Sequence, residues 1–179
     1  MTRKYYLFGR DTVLEGLLSE PWSRLVEVGP GTGRNLGILR SGRPAARYGG
    51  VDASLAMLEV ARARCPWAAF AHGFAEDADY AALVDGPPDR VLFSYCLSMV
   101  QEPERALAHA RSQLAPGGEV VVVDFADLAG LPGPAASALS AWLTRFHVRP
   151  LDERLLRSAG AELRFGPGRY WVRATLRRE

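Results

Sequence analysis

The sequence has few cysteines, little net charge and no long hydrophobic run. Only two of its 179 residues are cysteines, and 22 basic side chains nearly balance 20 acidic ones, for a formal net charge of +2. Both signs are spread along the chain, which excludes the basic stripe that is typical of nucleic-acid-binding proteins. No run approaches the roughly 18 apolar residues of a membrane-spanning helix, so the sequence predicts no transmembrane segment.

The two cysteines, Cys65 and Cys96, are far apart and form no CxxC pair. No cluster of histidine, cysteine and carboxylate residues has the spacing of a metal site. The basic and aromatic residues 1–8 are not followed by an apolar stretch with a cleavage site, as in a signal peptide. We therefore expect two buried free thiols in a cytoplasmic protein without a bound metal. The length predicts one domain over residues 1–179.

Apolar runs that are typical of buried strands alternate with helical patterns along most of the chain. The expected strands are 23–29, 48–52, 68–74, 90–97 and 119–125, and the expected helices are 34–40, 54–64 and 103–114. This βαβ order predicts an α/β fold, a doubly wound and mostly parallel sheet with helices on both faces. Two further runs, 162–165 and 170–176, flank Gly166-Pro167-Gly168 and predict a C-terminal antiparallel hairpin.

The first expected strand runs into a glycine-rich turn, E-V-G-P-G-T-G at residues 27–33, and a helix is expected after it. Glycine permits a sharp turn and a close approach of a ligand to the backbone. The second strand ends in Asp52, 19 residues after Gly33, where an acid can reach the hydroxyls of a ribose. The arrangement predicts a nucleoside-binding loop, and a plain glycine turn beside surface acids is the alternative.

Two details distinguish this turn from a dinucleotide-binding loop. Its glycine spacing is G-x-G-x-G, whereas the dinucleotide fingerprint is G-x-G-x-x-G. Glu27 stands two residues before the first glycine, and a carboxylate there is poorly suited to a neighbouring phosphate because like charges repel. It suits a ligand with a cationic end, such as the ammonium of an amino acid. Both details disfavour a nicotinamide-dependent oxidoreductase.

Four segments together resemble those of class I S-adenosylmethionine-dependent methyltransferases: E-V-G-P-G-T-G, Y-G-G-V-D, F-A-E-D and L-A-P-G-G-E-V-V-V-V-D-F. The resemblance covers nearly the whole chain. It implies a Rossmann-like, seven-stranded fold, S-adenosylmethionine as the cofactor and S-adenosylhomocysteine as its product. The residues it implies for the cofactor are Gly29, Gly31 and Gly33 at the methionine part, Asp52 at the ribose, Ala53 and Met57 in the adenine pocket, and Ala75 and Glu76 near the adenine amino group. Glu27 and Ser94, at the ends of two strands, complete our predicted cofactor set.

A narrower resemblance concerns the methyl acceptor. The segments Y-L-F-G-R-D, G-T-G-R-N-L, S-Y-C-L-S-M-V and F-H-V-R-P are similar to those of betaine-lipid methyltransferases, which trimethylate the amine of a diacylglyceryl-homoserine headgroup. This resemblance implies N-methylation of a small or lipid-borne amino-acid-like headgroup, with peripheral membrane contact in the lipid-borne case. An oxygen or carbon nucleophile on the same fold is an alternative, and a non-catalytic cofactor-binding module is another.

Methyl transfer is an in-line displacement that mainly requires alignment of donor and acceptor and exclusion of water. An amine acceptor must also lose its proton. Candidate side chains follow the fourth and fifth strands, because open α/β sheets bind ligands at the carboxyl ends of their strands. We predict that Tyr95, Ser98 and His147 position the acceptor or accept its proton. The predicted substrate-binding residues are Tyr6, Arg10 and Asp124, with residues 1–20 forming an arm or helix over the cofactor site.

Each of these side chains also has a structural interpretation. Tyr95 and His147 could be packed core residues, Asp124 could cap a loop, and Arg10 could pair with Asp11 or Glu15. A further apolar group could form a lid or an acyl-chain groove above the site, although core burial is the simpler interpretation. That group comprises Phe125, Leu128, Leu131, Leu139, Trp142 and Phe146.

Overall fold

The computed structural model describes residues 8–144 and 150–179, which form a sheet with helices on both faces. The strands are β1 (Arg24–Val28), β2 (Arg47–Asp52), β3 (Ala69–His72), β4 (Arg90–Ser94), β5 (Glu119–Phe125), β6 (Glu162–Phe165) and β7 (Trp171–Arg177). Their order is β3-β2-β1-β4-β5-β7-β6. β1 to β5 are parallel, and β7 runs antiparallel to both β5 and β6. The expected doubly wound sheet with a C-terminal hairpin is therefore confirmed.

The helices lie between the strands as a βαβ pattern requires. They are α1 (Phe8–Ser19), α2 (Arg34–Gly42), α3 (Leu55–Arg64), α4 (Tyr80–Val84), α5 (Pro103–Gln113), α6 (Gly133–Thr144) and α7 (Glu153–Ser158). Ser54 caps α3, since its side chain accepts a hydrogen bond from the Met57 amide. Pro103 begins α5, where its missing N–H costs nothing.

Each face of the sheet carries its own hydrophobic core. Neighbouring residues of a strand point to opposite faces, so Leu25 packs with α1 and α2, whereas Val26 packs with α4, α5 and α7. β5 is buried at all seven positions, which is typical of a central strand covered on both sides. The two helix layers leave the carboxyl ends of β1 to β5 together at one edge of the sheet.

Strand four ends earlier than the sequence predicts. The expected strand 90–97 was wrong in its last residues, because pairing with β5 stops at Ser94 and Tyr95 takes a left-handed backbone with φ of 54°. A short 3-10 turn, Leu97–Met99, follows. Because of this change of direction, residues 95–99 leave the sheet.

Helices α4 and α7 were not predicted, because five and six residues are too few to carry a helical periodicity.

Candidate active site

The glycine loop follows β1 and has left-handed backbone angles at all three glycines. The φ angles of Gly29, Gly31 and Gly33 are 64°, 54° and 74°, values that L side chains rarely adopt. A Cβ atom added at Gly29 would lie only 2.8 Å from the Cβ of Cys96. A Cβ added at Gly31 would meet no atom within 4 Å. The loop is therefore packed at Gly29 and open at Gly31, where a ligand can approach the backbone.

Asp52 joins the end of β2 to the glycine loop. Its carboxylate accepts hydrogen bonds from the backbone N–H of Gly31, at 3.0 Å, and of Ser54, at 2.9 Å. The side chain is only partly buried. A carboxylate has about four acceptor sites, so Asp52 keeps capacity for two ribose hydroxyls beside the open face of Gly31.

Glu27 is a fully buried carboxylate directly beneath the loop. Its Oε1 accepts a 2.6 Å hydrogen bond from the side-chain amide of Asn35, and its Oε2 has no hydrogen-bond partner among residues 8–144 and 150–179. Burial raises the pKa of Glu27 to about 8, against the opposing effects of the Asn35 bond and the Arg10 charge. At neutral pH the carboxyl group is therefore protonated and its Oε2 is left without a partner, which is costly for a buried polar atom. The ammonium of an amino-acid ligand could pair with it once that proton leaves.

Arg10 lies in the first turn of α1 and is 6% exposed. Its Nε donates a 3.0 Å hydrogen bond to Asp11, which is one of the pairings expected from sequence. Its charge also acts on Glu27, so the start of α1 lies at the same end of the site. The described part of the N-terminal segment is thus a helix whose first turn lies near Glu27, while a contact between Arg10 and substrate stays a prediction.

The predicted adenine-side residues follow β2 and β3, which are neighbours in the sheet. Ala53 is exposed and Met57 is 40% exposed, so both are accessible to a ligand. Ala75 is buried and its carbonyl accepts a 2.7 Å hydrogen bond from the Tyr80 hydroxyl. Glu76, 8% exposed, accepts a 3.4 Å bond from a backbone amide at the start of α5. These two contacts tie the segment after β3 to α4 and to the start of α5.

An exposed aromatic side chain that the sequence analysis did not assign to the site is Phe74, two residues after the end of β3 and 62% exposed. The amide of the preceding Gly73 donates to the Asp52 carbonyl at 3.2 Å, so the backbone before Phe74 is anchored at the end of β2. An aromatic residue immediately before A-E-D was the available signal.

On the other side of the site, Ser98 and Asp124 lie in direct contact. Asp124 is fully buried, and its carboxylate accepts from the amide of Ser98 at 3.0 Å, from the Ser98 hydroxyl at 3.1 Å and from the Phe125 amide at 2.8 Å. Burial raises the pKa of Asp124 to about 6, and these hydrogen bonds oppose the rise. Asp124 thus caps the turn after β4, and its contact with substrate stays a prediction.

Tyr95 combines an unusual backbone with a buried hydroxyl. Its ring centroid lies 4.7 Å from that of Phe125 in an edge-on arrangement. No group within the described ranges makes a hydrogen bond of normal geometry with the hydroxyl. Burial raises the pKa of Tyr95, and the nearby amide of Gly9 and charge of Arg10 partly offset the rise. The hydroxyl is therefore neutral at physiological pH and available to a further partner.

The remaining predictions have different outcomes. Ser94 ends β4 and is partly buried. Tyr6, His147 and Phe146 lie outside the described residues, as does the side chain of Trp142. Phe125 and Leu128 are buried, with Leu131 and Leu139 packed against them, which agrees with core burial for these four. No helix within residues 8–144 and 150–179 has the length and hydrophobicity needed to cross a bilayer.

Comparison with known proteins identifies the family of the chain. Residues 3–178 match the family described as "Methyltransferase domain". Over 120 residues, 65% of this chain and 47% of the relative, the sequence is 34% identical to a demethylmenaquinone methyltransferase of Renibacterium salmoninarum. Over 103 residues, 56% of this chain and 38% of the relative, it is 35% identical to a trans-aconitate 2-methyltransferase of Paracidovorax citrulli. The chain thus spans less than half the length of these curated relatives.

Among solved structures, the fold is similar to that of the N-methyltransferase NodS from Bradyrhizobium japonicum in complex with S-adenosylhomocysteine. The TM-score is 0.69 at 17% sequence identity, covering 96% of this chain and 86% of that one. At this identity the likeness concerns the fold alone.

Proposed function

Because the chain belongs to the methyltransferase-domain family, we propose that it transfers a methyl group from S-adenosylmethionine to the amine of a small or lipid-borne amino-acid-like headgroup. Family membership confirms the sequence-based interpretation as a class I methyltransferase domain and the cofactor that goes with it. The acceptor is the part of the proposal that goes further. The observation that carries the cofactor site is the open Gly31 backbone above the unsatisfied Glu27 carboxylate.

Bound S-adenosylmethionine supplies an electrophilic methyl group on a sulfonium. The residues of this chain would hold its two polar ends. Glu27 would receive the ammonium, because its buried Oε2 lacks a donor, and Asp52 would accept the ribose hydroxyls with its remaining lone pairs. Charge-assisted hydrogen bonds of this kind are the stronger class. The residues already assigned to the adenine side would line the exposed rim.

Ser98 favours an acceptor that carries N–H groups. Its hydroxyl proton is donated to the Asp124 carboxylate, so its lone pairs are left to accept a hydrogen bond. At neutral pH Asp124 is mostly ionised, given its pKa of about 6, which keeps the Ser98 hydroxyl oriented. An ammonium or amine can donate to this oxygen, whereas a carboxylate would meet a second acceptor.

Tyr95 would complete the alignment of the acceptor. Its neutral hydroxyl can accept an N–H bond and so direct the amine lone pair toward the methyl group. Methyl transfer needs no covalent intermediate, and in-line positioning accounts for most of the required effect. An ammonium acceptor must lose a proton before attack. That proton would pass to the Ser98 oxygen as the Ser98 hydroxyl proton passes to the ionised Asp124 carboxylate, which leaves a neutral amine, a neutral Ser98 and a protonated Asp124.

The direct test combines binding with product analysis. Calorimetry with S-adenosylhomocysteine measures cofactor-site binding, and incubation with methyl-labelled S-adenosylmethionine and an acceptor panel identifies the product by mass spectrometry. The panel holds homoserine, a short-chain diacylglyceryl-homoserine and simple amines. We expect labelled N-methyl product from at least one amino-acid-like amine. If diacylglyceryl-homoserine is methylated faster than free homoserine, the acceptor is the betaine-lipid headgroup. If no amine is labelled, the proposal is contradicted.

A carbon or oxygen acceptor is the second candidate, and the names of the sequence relatives favour it. One relative is named for demethylmenaquinone and the other for trans-aconitate. A naphthoquinol and a tricarboxylate in the same panel separate this candidate from the amine. Tight binding of S-adenosylhomocysteine without any labelled product would instead favour a non-catalytic binding module.

A further inference from the structure

Both cysteines of the chain contact the glycine loop, although they are 31 positions apart in sequence. The Sγ of Cys96 donates to the carbonyl of Val28 at 3.0 Å, and the Sγ of Cys65 donates to the carbonyl of Gly33 at 3.3 Å. These two carbonyls lie at the two ends of the loop. The thiols therefore hold its first and last peptides.

The two cysteines also pack so closely against Gly29 and Gly33 that neither position has room for a side chain. A Cβ at Gly29 would lie 2.8 Å from the Cβ of Cys96, and a Cβ at Gly33 would lie 3.0 Å from the Sγ of Cys65. Cys96 belongs to the core beneath α4 and α5, whereas Cys65 belongs to the core beneath α1 and α2. The two ends of the loop are thus packed against side chains from opposite faces of the sheet.

The middle of the loop is held by polar side chains. Asp52 accepts from the Gly31 amide, and Arg64 donates to the carbonyl and hydroxyl of Thr32 at 3.0 and 2.9 Å. Arg64 directly precedes Cys65 at the end of α3. The contacts leave the outward side of Gly31 open, which is the side that faces a ligand.

We infer that Cys65 and Cys96 are positioning residues for the cofactor: they set the position of the glycine loop by donating S–H hydrogen bonds to its end carbonyls. The inference rests on the proposed function, because the loop must bind S-adenosylmethionine. Burial raises the pKa of both thiols, so both stay protonated and continue to donate at neutral pH. The role requires a small side chain with a donor, which cysteine and serine satisfy and alanine and valine do not.

The test measures the S-adenosylhomocysteine dissociation constant of variants by calorimetry, alongside their thermal midpoints. We expect Cys96→Ala and Cys65→Ala each to weaken binding about threefold, in line with loss of one weak hydrogen bond. Cys96→Val, which adds bulk against Gly29, should weaken it by about tenfold or more. The serine variants, which keep a donor, should bind within about twofold of the parent.

A matched control is Val120→Ala, which removes a fully buried side chain at the amino end of β5, away from the loop. It should lower the thermal midpoint without changing the dissociation constant. Alanine variants that bind like the parent, or serine variants that bind no better than alanine, would overturn the inference. A parent protein that binds no S-adenosylhomocysteine would instead overturn the proposed function, and this inference with it.

A second measurement needs no variant. The parent protein is treated with iodoacetamide with and without excess S-adenosylhomocysteine, and alkylation of each cysteine is followed by mass spectrometry. Ligand bound on the loop should slow alkylation of both thiols, because they become reactive only when the loop opens. Calorimetry first shows that S-adenosylhomocysteine binds. If the alkylation rate of each cysteine is then the same with and without this ligand, the inference is contradicted.

Discussion

The two sides of the site are built differently. On the cofactor side, the glycine loop is held by backbone and side-chain bonds from Asp52, Arg64 and both cysteines. On the acceptor side, the Tyr95 hydroxyl is buried without a partner of normal geometry in the described part of the chain, and Met99 is 69% exposed. The glycine loop is thus held by several polar contacts, with the Glu27 Oε2 beneath it unpaired in the described residues, whereas the Tyr95 hydroxyl has no regular partner there at all.

This difference follows from what each side has to recognise. The cofactor is the same in every turnover, so its loop can be fixed by the fold itself, with cores on both faces of the sheet. The proposed function assigns acceptor recognition to segments that leave the sheet after β4 and β5, where loops can vary without disturbing the cores. Changes on the cofactor side should therefore alter binding, and changes on the acceptor side should alter turnover.

The largest effect is expected from Gly31→Val. No atom lies within 4 Å of a Cβ added there, apart from the neighbouring residues, so the protein should fold with a backbone cost of roughly 1–2 kcal/mol from the left-handed angle. The new side chain fills the space used by the ligand, and binding of S-adenosylhomocysteine should fall at least about 100-fold, or roughly 3 kcal/mol. Gly37→Ala, in an equally open position within α2, is the control and should bind normally. Retained binding in Gly31→Val, measured by calorimetry, would place the ligand elsewhere.

Asp52→Ala comes next. Loss of charged hydrogen bonds to ribose should weaken binding of S-adenosylhomocysteine by about 1–3 kcal/mol, as measured by calorimetry. Asp79→Ala is a matched control, because Asp79 also accepts a backbone amide, that of Ala82, at the start of a helix. The control should lower stability by about 1 kcal/mol and leave binding unchanged. Equal dissociation constants for the two variants would remove Asp52 from the site.

The charge of Glu27 should make binding depend on pH. The free protein keeps Glu27 protonated up to about pH 8, and an ammonium ligand requires the ionised form. Binding then releases a proton, so affinity should rise about tenfold between pH 6 and pH 7. Calorimetry in buffers of different ionisation enthalpy should detect the released proton. Glu27→Gln should bind weakly and without this dependence, and a flat profile in the parent protein would contradict the role.

The same pKa has a consequence for stability. The unfolded chain releases this proton near pH 4.5, whereas the folded chain holds it to about pH 8. The folded state therefore binds more protons, and the contribution of Glu27 to stability falls as pH rises through that window. Stabilisation by S-adenosylhomocysteine in thermal unfolding should be correspondingly larger at pH 8 than at pH 6.

The smallest effect is expected from Tyr95→Phe. Removal of a hydroxyl without a regular partner should leave the thermal midpoint unchanged or slightly higher, and should not alter binding of S-adenosylhomocysteine. Turnover should fall about threefold to tenfold if the hydroxyl orients the acceptor. Tyr80→Phe is the control, because its buried hydroxyl bonds to the Ala75 carbonyl. That variant should lose about 1 kcal/mol of stability, and matching turnover in the two variants would exclude Tyr95.

Most of the cofactor side could be predicted because its signals are local. Glycine spacing, the preceding strand and Asp52 occupy one short stretch, and β-branched residues mark β5. The acceptor side depends on contacts between distant segments. Nothing next to Tyr95 in sequence predicts its left-handed backbone, and the bond between Ser98 and Asp124 joins residues 26 positions apart. The cysteines were expected only as buried thiols, because their contact with the loop arises from the fold.

The contacts assigned to Glu27, Asp52 and Gly31 involve parts that S-adenosylmethionine and S-adenosylhomocysteine have in common. The two molecules differ only at sulfur, by one methyl group and its positive charge. A site that contacts only the shared parts should bind the product S-adenosylhomocysteine with nearly the same affinity as S-adenosylmethionine. With the proposed contacts, we expect S-adenosylhomocysteine to inhibit turnover, and sustained catalysis would then depend on another enzyme that removes it from solution.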